Sequence, residues 1–168
     1  IAATARPGSE GPIYPGTCRS DGPGPGVPAA WRVKVADQTI RFNDRVVGEV
    51  AQELAKEIGD FVIRRIDGFT AYQLAVVVDD QAQGITDVVR GADLLWSAPR
   101  QISLQQLLGY ATPRHAHVPL VYGPDGHKLS KSDQAHPLDP DDPMPALRAA
   151  WLHLGQSPPP SDLKHPAA

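Results

Sequence analysis

Apolar and polar residues alternate along Trp31-Arg-Val-Lys-Val35, the pattern of a half-buried strand. Thr39-Ile-Arg-Phe42 and Arg45-Val-Val47 continue in short β-like runs, with Asn43-Asp44 between them as turn residues. An antiparallel set is expected here. Gly48 to Ile58 reads instead as helix-compatible, because Val50, Leu54 and Ile58 recur every fourth residue. Phe61-Val-Ile63 predicts a further strand.

Leu74-Ala-Val-Val-Val78 is a continuous apolar run ending in three valines. It predicts a strand buried on both faces, hence a parallel sheet covered by helices. Asp79 and Asp80 are expected to end it and orient the adjacent loop. Asp87-Val-Val-Arg90, closed by Gly91, predicts a second such strand. Ser97 is placed to cap a helix with Pro99 in its first turn; Ile102, Leu104, Leu107 and Leu108 give it an apolar face, and Gly109 stops it. Val118-Pro-Leu-Val-Tyr122 predicts an edge strand, Gly123-Pro-Asp-Gly126 a turn, and Met144 to Leu154 a last helix ended by Gly155. Strands and helices in this succession indicate α/β architecture. Ile1 to Ala30, rich in proline and glycine, and the proline-rich tail Gln156 to Ala168 read as loose.

Composition narrows the function classes. The net charge is −3, so any contact with a polyanion depends on a local patch. A single cysteine, Cys18, excludes an intrachain disulfide and a zinc site built mostly of this chain's thiolates. No apolar run approaches the ~20 residues needed to span a bilayer, and no secretory pattern opens the chain; a cytoplasmic location and no membrane association are expected. His115, His117, His127 and His136 show no metal-ligand spacing and are expected as surface or capping histidines.

The stretch Gly126-His-Lys-Leu-Ser-Lys-Ser132 is the most suggestive chemically. Lysine ammonium groups suit phosphate oxygens, and small hydroxyl residues let a backbone approach a polyphosphate. Such a loop could hold a leaving pyrophosphate as its charge grows. On its own the string also fits a solvated surface loop.

In context it resembles the lysine-serine loop of class I aminoacyl-tRNA synthetases, in their glutamyl branch. Asp67-Gly-Phe-Thr-Ala-Tyr-Gln-Leu-Ala-Val-Val-Val-Asp-Asp80, then Gln83-Gly-Ile-Thr-Asp-Val-Val-Arg-Gly-Ala-Asp93, then Pro99-Arg-Gln-Ile-Ser-Leu-Gln-Gln-Leu-Leu-Gly109 are similar, in order, to the glutamyl-tRNA synthetase catalytic core. Within that branch the chain resembles the short glutamyl-Q tRNA(Asp) synthetase family. It ends soon after the lysine loop, Val76 and Arg90-Gly-Ala-Asp93 look like that family's variants, and Tyr14-Pro-Gly-Thr-Cys18 resembles half of its zinc motif.

The resemblance implies a class I Rossmann-like nucleotide-binding fold with a small antiparallel β insertion and a C-terminal helical segment. It divides the chain into residues 1–30, a loop with the partial zinc motif; 31–66, the β-rich insertion; 67–135, the second half of the catalytic domain; and 136–168, a helix and tail. It implies ATP binding at Lys128, Leu129, Ser130, Lys131 and Ser132, with Lys131 catalytic. Tyr72 and Arg90 are implied at the glutamate pocket: arginine offers a planar fork to a carboxylate and tyrosine a directional hydroxyl. Tyr14 and Cys18 are implied as two zinc ligands, whose two partner cysteines lie upstream in the family and are absent here.

The implied reaction is ATP- and Mg²⁺-dependent activation of glutamate and its transfer to the queuosine base of tRNA(Asp), by a monomer. The family's nucleotide-binding motif of the first half-fold is absent from this sequence, so the chain alone is expected to be inactive. The alternatives are a piece of an ordinary glutamyl-tRNA synthetase and a non-catalytic nucleotide- or RNA-binding remnant.

Overall fold

The computed structural model describes residues 5–8, 11–123, 126–129 and 139–157. They belong to two compact units: Ile1–Arg90 with Leu94–His117, and Gly91–Asp93 with Val118–Ala168.

The first unit opens with a short hairpin, β1 (Arg6–Gly8) against β2 (Gly11–Ile13). The loop after it is pinned rather than loose. Arg19 grips Asp60 with two hydrogen bonds of 2.7 Å, Arg32 lies over the Tyr14 ring at 4.3 Å, and Tyr14 bridges to Gly59. β3 (Trp31–Arg32) pairs with β6 (Val62–Arg64), so the alternation that predicts a strand to Val35 yields only its first two residues.

β4 (Thr39–Asp44) and β5 (Gly48–Glu53) form a regular antiparallel hairpin, from Thr39 opposite Glu53 to Asp44 opposite Gly48. Its inner face carries Ile40, Phe42 and Asp44 on one strand and Val50 and Gln52 on the other, the period of two that a pleat imposes. The turn falls later than Asn43-Asp44. The Asp44 Oδ1 accepts the backbone N–H groups of Val46 and Val47, each at 3.0 Å, which closes the chain around Arg45-Val46-Val47. Those two valines are therefore turn residues, and the second strand occupies ground that the four-residue spacing assigned to a helix. Only α1 (Leu54–Glu57) is helical there, one turn whose Leu54 is wholly buried.

The largest departure from expectation is the run Leu74–Val78. It lies inside α2 (Tyr72–Ala82), where only Val77 is fully buried. Five apolar residues are too few for periodicity to separate strand from helix. Packing of α2 on α3 (Ala98–Leu108) and on β6 decides it. Asp79 and Asp80 are consequently helical residues and not a strand terminus.

β7 (Asp87–Gly91) forms where a strand is expected and pairs with β8 (Arg114–Val118), but it lies in a two-stranded sheet with Val89 exposed and is not buried on both faces. β8 precedes the expected Val118–Tyr122 run and ends as Pro119 approaches, since proline brings no N–H to a ladder. A 3-10 segment (Ala92–Ser97) leads into α3, which Gly109 stops in the left-handed conformation at φ 70°. Ser97 stands at the N-cap position of α3 but makes no side-chain cap bond; its hydroxyl accepts from Gln73 Nε2 at 3.1 Å. Leu107 and Leu108, expected on the apolar face, are exposed.

The core of this unit joins Val35, Ile40, Leu54, Phe61, Val77, Ile102 and Leu104. It thus ties the β4–β5 hairpin to α2 and α3. Among the described residues the sheets are four two-stranded pairs, so strands and helices mix in an α/β arrangement with no wider sheet.

In the second unit, Val121 and Gly123 pair back on Leu129 and His127 (2.9 and 2.8 Å) around the turn that Gly126 closes. α4 (Met144–His153) forms as expected.

Candidate active site

Arg90 sits on β7, and its guanidinium is half-buried. Its Nε donates to His117 Nε2 at 3.0 Å, and its Nη2 is buried without a hydrogen-bond partner among the described residues. Burial pulls its pKa below the usual arginine value. The Tyr72 hydroxyl, the Asp80 carboxyl and the Asp44 carboxyl pull the other way. Tyr72, the first residue of α2, is 51% exposed. The fold therefore brings together the two residues expected at a glutamate pocket, an open phenol beside a guanidinium. A buried, unpaired guanidinium nitrogen is costly unless an anionic or polar acceptor completes it. Arginine's fork suits a carboxylate for that purpose.

Behind Arg90 stands a buried pair that the sequence gives no hint of. His117 Nδ1 lies 2.6 Å from Asp44 Oδ2, with both side chains fully enclosed. The His117 backbone N–H donates to Asp44 Oδ1 at 3.1 Å. Burial pushes the Asp44 carboxyl up. The Val47 backbone N–H, the His117 ring and the backbone N–H groups of Val46 and His117 outweigh it and hold the group down at about 2. Since His117 Nε2 accepts from Arg90, the ring proton is on Nδ1 and is donated to Asp44. Asp44 lies at the expected turn but is buried, and His117, expected as a surface or capping histidine, is enclosed in the interior.

His115, two residues earlier on the same inner face, is also buried rather than exposed. It stacks parallel to His117 at 6.1 Å and meets the Phe42 ring edge-on at 5.4 Å. Burial, then the Arg90 charge, lowers its pKa to about 4. Asp80, on α2, is pushed up by burial and by Asp79, while Arg90 opposes this.

In the second unit, Lys128 Nζ contacts Asp93 Oδ2 at 2.5 Å. Lys128 and Leu129 are exposed and follow the tight turn, as expected of a loop offered to a ligand. Ser130, Lys131 and Ser132 lie outside the described residues, as does His136.

Tyr14 and Cys18 do meet. The Cys18 backbone N–H donates to the Tyr14 hydroxyl at 2.7 Å, and the neighbouring Cys18 side chain is the main influence raising the phenol's pKa. Cys18 is exposed and free. A phenol and a thiol on one turn supply two donors, half of what a closed tetrahedral zinc site requires. Among the described residues no group of three histidine, cysteine or acidic side chains stands ready for a metal. No helix of the described residues is long and apolar enough to cross a membrane.

An α/β unit that presents an arginine–tyrosine pair, in a chain whose sequence also carries a lysine-serine string, fits a nucleotide-dependent ligase of the class I synthetase type. The family model for the catalytic domain of class I tRNA synthetases (E and Q) matches residues 19–157, and the chain belongs to that family. Its relatives narrow the branch. A glutamyl-Q tRNA(Asp) synthetase from Xanthomonas campestris pv. campestris (strain 8004) is 60% identical over 134 residues, covering 79% of this chain and 45% of that protein. One from Thiobacillus denitrificans is 54% identical over 147 residues, covering 88% of this chain and 49% of the other. Among solved structures, a glutamate tRNA ligase from Elizabethkingia meningosepticum in complex with its amino acid superposes with a TM-score of 0.54 at 33% identity. That match covers 61% of this chain and 20% of the ligase. The chain thus spans about half the length of the curated relatives it matches.

Proposed function

We propose that the full-length protein activates glutamate with ATP and transfers it to the queuosine base of tRNA(Asp), in the cytoplasm and as a monomer. The observation that carries this reading is the Arg90–Tyr72 pair, with its buried guanidinium nitrogen unpaired among the described residues, in a chain 54–60% identical to proteins named glutamyl-Q tRNA(Asp) synthetase.

Arg90 and Tyr72 hold the substrate amino acid, with Arg90 taking a carboxylate and Tyr72 giving a hydrogen bond. A glutamate carboxylate oxygen then forms a bond to the α-phosphorus of ATP. The bond from that phosphorus to the bridging oxygen breaks, and pyrophosphate leaves with the electron pair. The loop of Lys128, Leu129, Ser130, Lys131 and Ser132 takes up that growing charge, Lys131 contacting ATP directly. A hydroxyl of the queuosine ring attacks the acyl carbon of the adenylate, forms the ester and releases AMP. Mg²⁺ accompanies ATP and would offset phosphate charge. Tyr14 and Cys18 would hold zinc together with two cysteines that this sequence does not contain, as a structural site with no step of its own.

The test is glutamate-dependent exchange of pyrophosphate into ATP by the full-length protein with no tRNA added. Exchange that Lys131→Ala slows severely is the expected result. Exchange that appears only when tRNA is present would move the protein to the ordinary glutamyl-tRNA synthetases. No exchange under either condition would leave a nucleotide- or RNA-binding remnant.

A further inference from the structure

We infer that Asp44 and His117 are positioning residues for amino-acid recognition: the pair fixes one histidine tautomer so that His117 Nε2 locks the Arg90 guanidinium in the orientation that receives the substrate carboxylate. The inference rests on the assignment of Arg90 to the glutamate pocket.

The geometry is a directed chain. Asp44 Oδ2, ionised and enclosed, accepts the Nδ1–H of His117 over 2.6 Å. The opposite ring nitrogen must then carry a lone pair, which accepts the Nε–H of Arg90 over 3.0 Å. An arginine bound through Nε has its plane and direction set, because the three guanidinium nitrogens are coplanar. What remains is the Nη edge: the Tyr72 hydroxyl acts on the guanidinium, and Nη2 has no hydrogen-bond partner among the described residues. Each link has one alternative that the chain excludes. A histidine protonated at Nε2 would set two donors against each other, Nε2–H against Arg90 Nε–H. A carboxylate at position 44 forbids that tautomer because it can only accept.

The pair also solves a placement problem. β4 ends at Asp44 and β8 contains His117, 73 positions apart in sequence. Asp44 joins the β4–β5 turn to the strand beside β7 through both the backbone and the ring of His117. Movement of that turn is thereby transmitted to Arg90 through two hydrogen bonds.

Two substitutions at one position separate positioning from packing. The amide nitrogen of His117→Asn replaces Nδ1 and keeps the donation to Asp44, but nothing replaces Nε2. His117→Gln reaches the Nε2 position with its amide oxygen and keeps the acceptor for Arg90. Hydrogen bonds to charged groups predict that His117→Asn raises the glutamate KM in pyrophosphate exchange by about ten-fold or more. The ATP KM stays unchanged, and His117→Gln recovers most of the loss. Equal effects of the two variants, an equal rise in the ATP KM, or no effect on the glutamate KM would each overturn the inference. Asp44→Asn offers a donor to the ring and allows the opposing tautomer; it is expected to behave like His117→Asn.

Nitrogen NMR of the wild-type protein supplies the second measurement, independent of activity. His117 is expected as the Nδ1–H tautomer, and a signal from the Nε2–H form would refute the chain directly. A wild-type protein with the expected tautomer but no glutamate-dependent exchange would overturn the pocket assignment, and with it the role in recognition, while leaving the hydrogen-bond chain standing.

Discussion

The buried His115 makes the fold acid-sensitive in a defined window. Its ring is enclosed against Phe42 and His117, and a proton on it would add a charge near Arg90. Its pKa is about 4 in the folded chain, against an ordinary value of 6.5. The group is depressed, so the unfolded state binds the proton first as pH falls. Stability is complete above pH 6.5 and is lost progressively toward pH 4. At 1.36 kcal/mol per pH unit, the linkage integral is about 2 kcal/mol lost by pH 5 and about 3 kcal/mol by pH 4.

Other groups act elsewhere in pH or in the opposite sense. Asp44 and Asp60 are lowered carboxyls whose contributions persist until pH falls below about 4. Asp80 is raised, so its protonation favours the folded state on the acid side and opposes the loss. The assay is urea unfolding at pH 7.5, 6, 5 and 4.5. A fall of about 1 M in the midpoint between pH 7.5 and 5 is expected from ordinary urea slopes. His115→Gln can still donate toward the Pro113 carbonyl. It should flatten the profile between pH 6.5 and 4.5 whatever it does to absolute stability. A wild-type midpoint constant over that range, or a slope unchanged in His115→Gln, would refute the reasoning.

Arg90→Ala should raise the glutamate KM of pyrophosphate exchange by about a hundred-fold, from a lost charge-assisted hydrogen bond of about 3 kcal/mol, while ATP use changes little; an unaltered glutamate kcat/KM would remove Arg90 from the pocket. Gly59→Ala should destabilise the first unit by about 2 kcal/mol, because Gly59 holds φ 71° and an added Cβ would lie 2.9 Å from the Tyr14 carbonyl oxygen. A thermal midpoint equal to wild type would show that the Tyr14 loop yields freely.

How much was legible depended on how far apart in sequence the partners lie. Gly109 and Pro99 mark α3 correctly because a cap and a first-turn proline act within one helical turn. Asp87–Arg90 reads as a strand because its polar ends bound a short β-branched run. Leu74–Val78 misleads for the opposite reason: its identity is set by α3, some twenty-five residues on, against which α2 packs. Resemblance, not spacing, points to Tyr72 and Arg90, and the fold brings their side chains together.

Asp44 and His117 could not be found from spacing at all. Asp44 follows asparagine in an evident turn, and local turn chemistry explains it fully: its Oδ1 does cap Val46 and Val47. Nothing local reveals that the same carboxylate has a second oxygen to spend on a histidine in β8. A buried carboxylate with only the turn's two N–H groups would be under-satisfied, since an ionised group removed from water needs most of its lone pairs occupied. The alternating burial of β8, with His115 and His117 both inward, brings the missing donors: one ring N–H and one backbone N–H from His117. That arrangement leaves a ring lone pair on the far side, in a unit whose neighbouring strand carries a half-buried arginine. The turn, the inward histidine and the Arg90 guanidinium are therefore one hydrogen-bonded unit, and, on the proposed assignment of Arg90 to the glutamate pocket, a change at any of the three should raise the glutamate KM before the ATP KM.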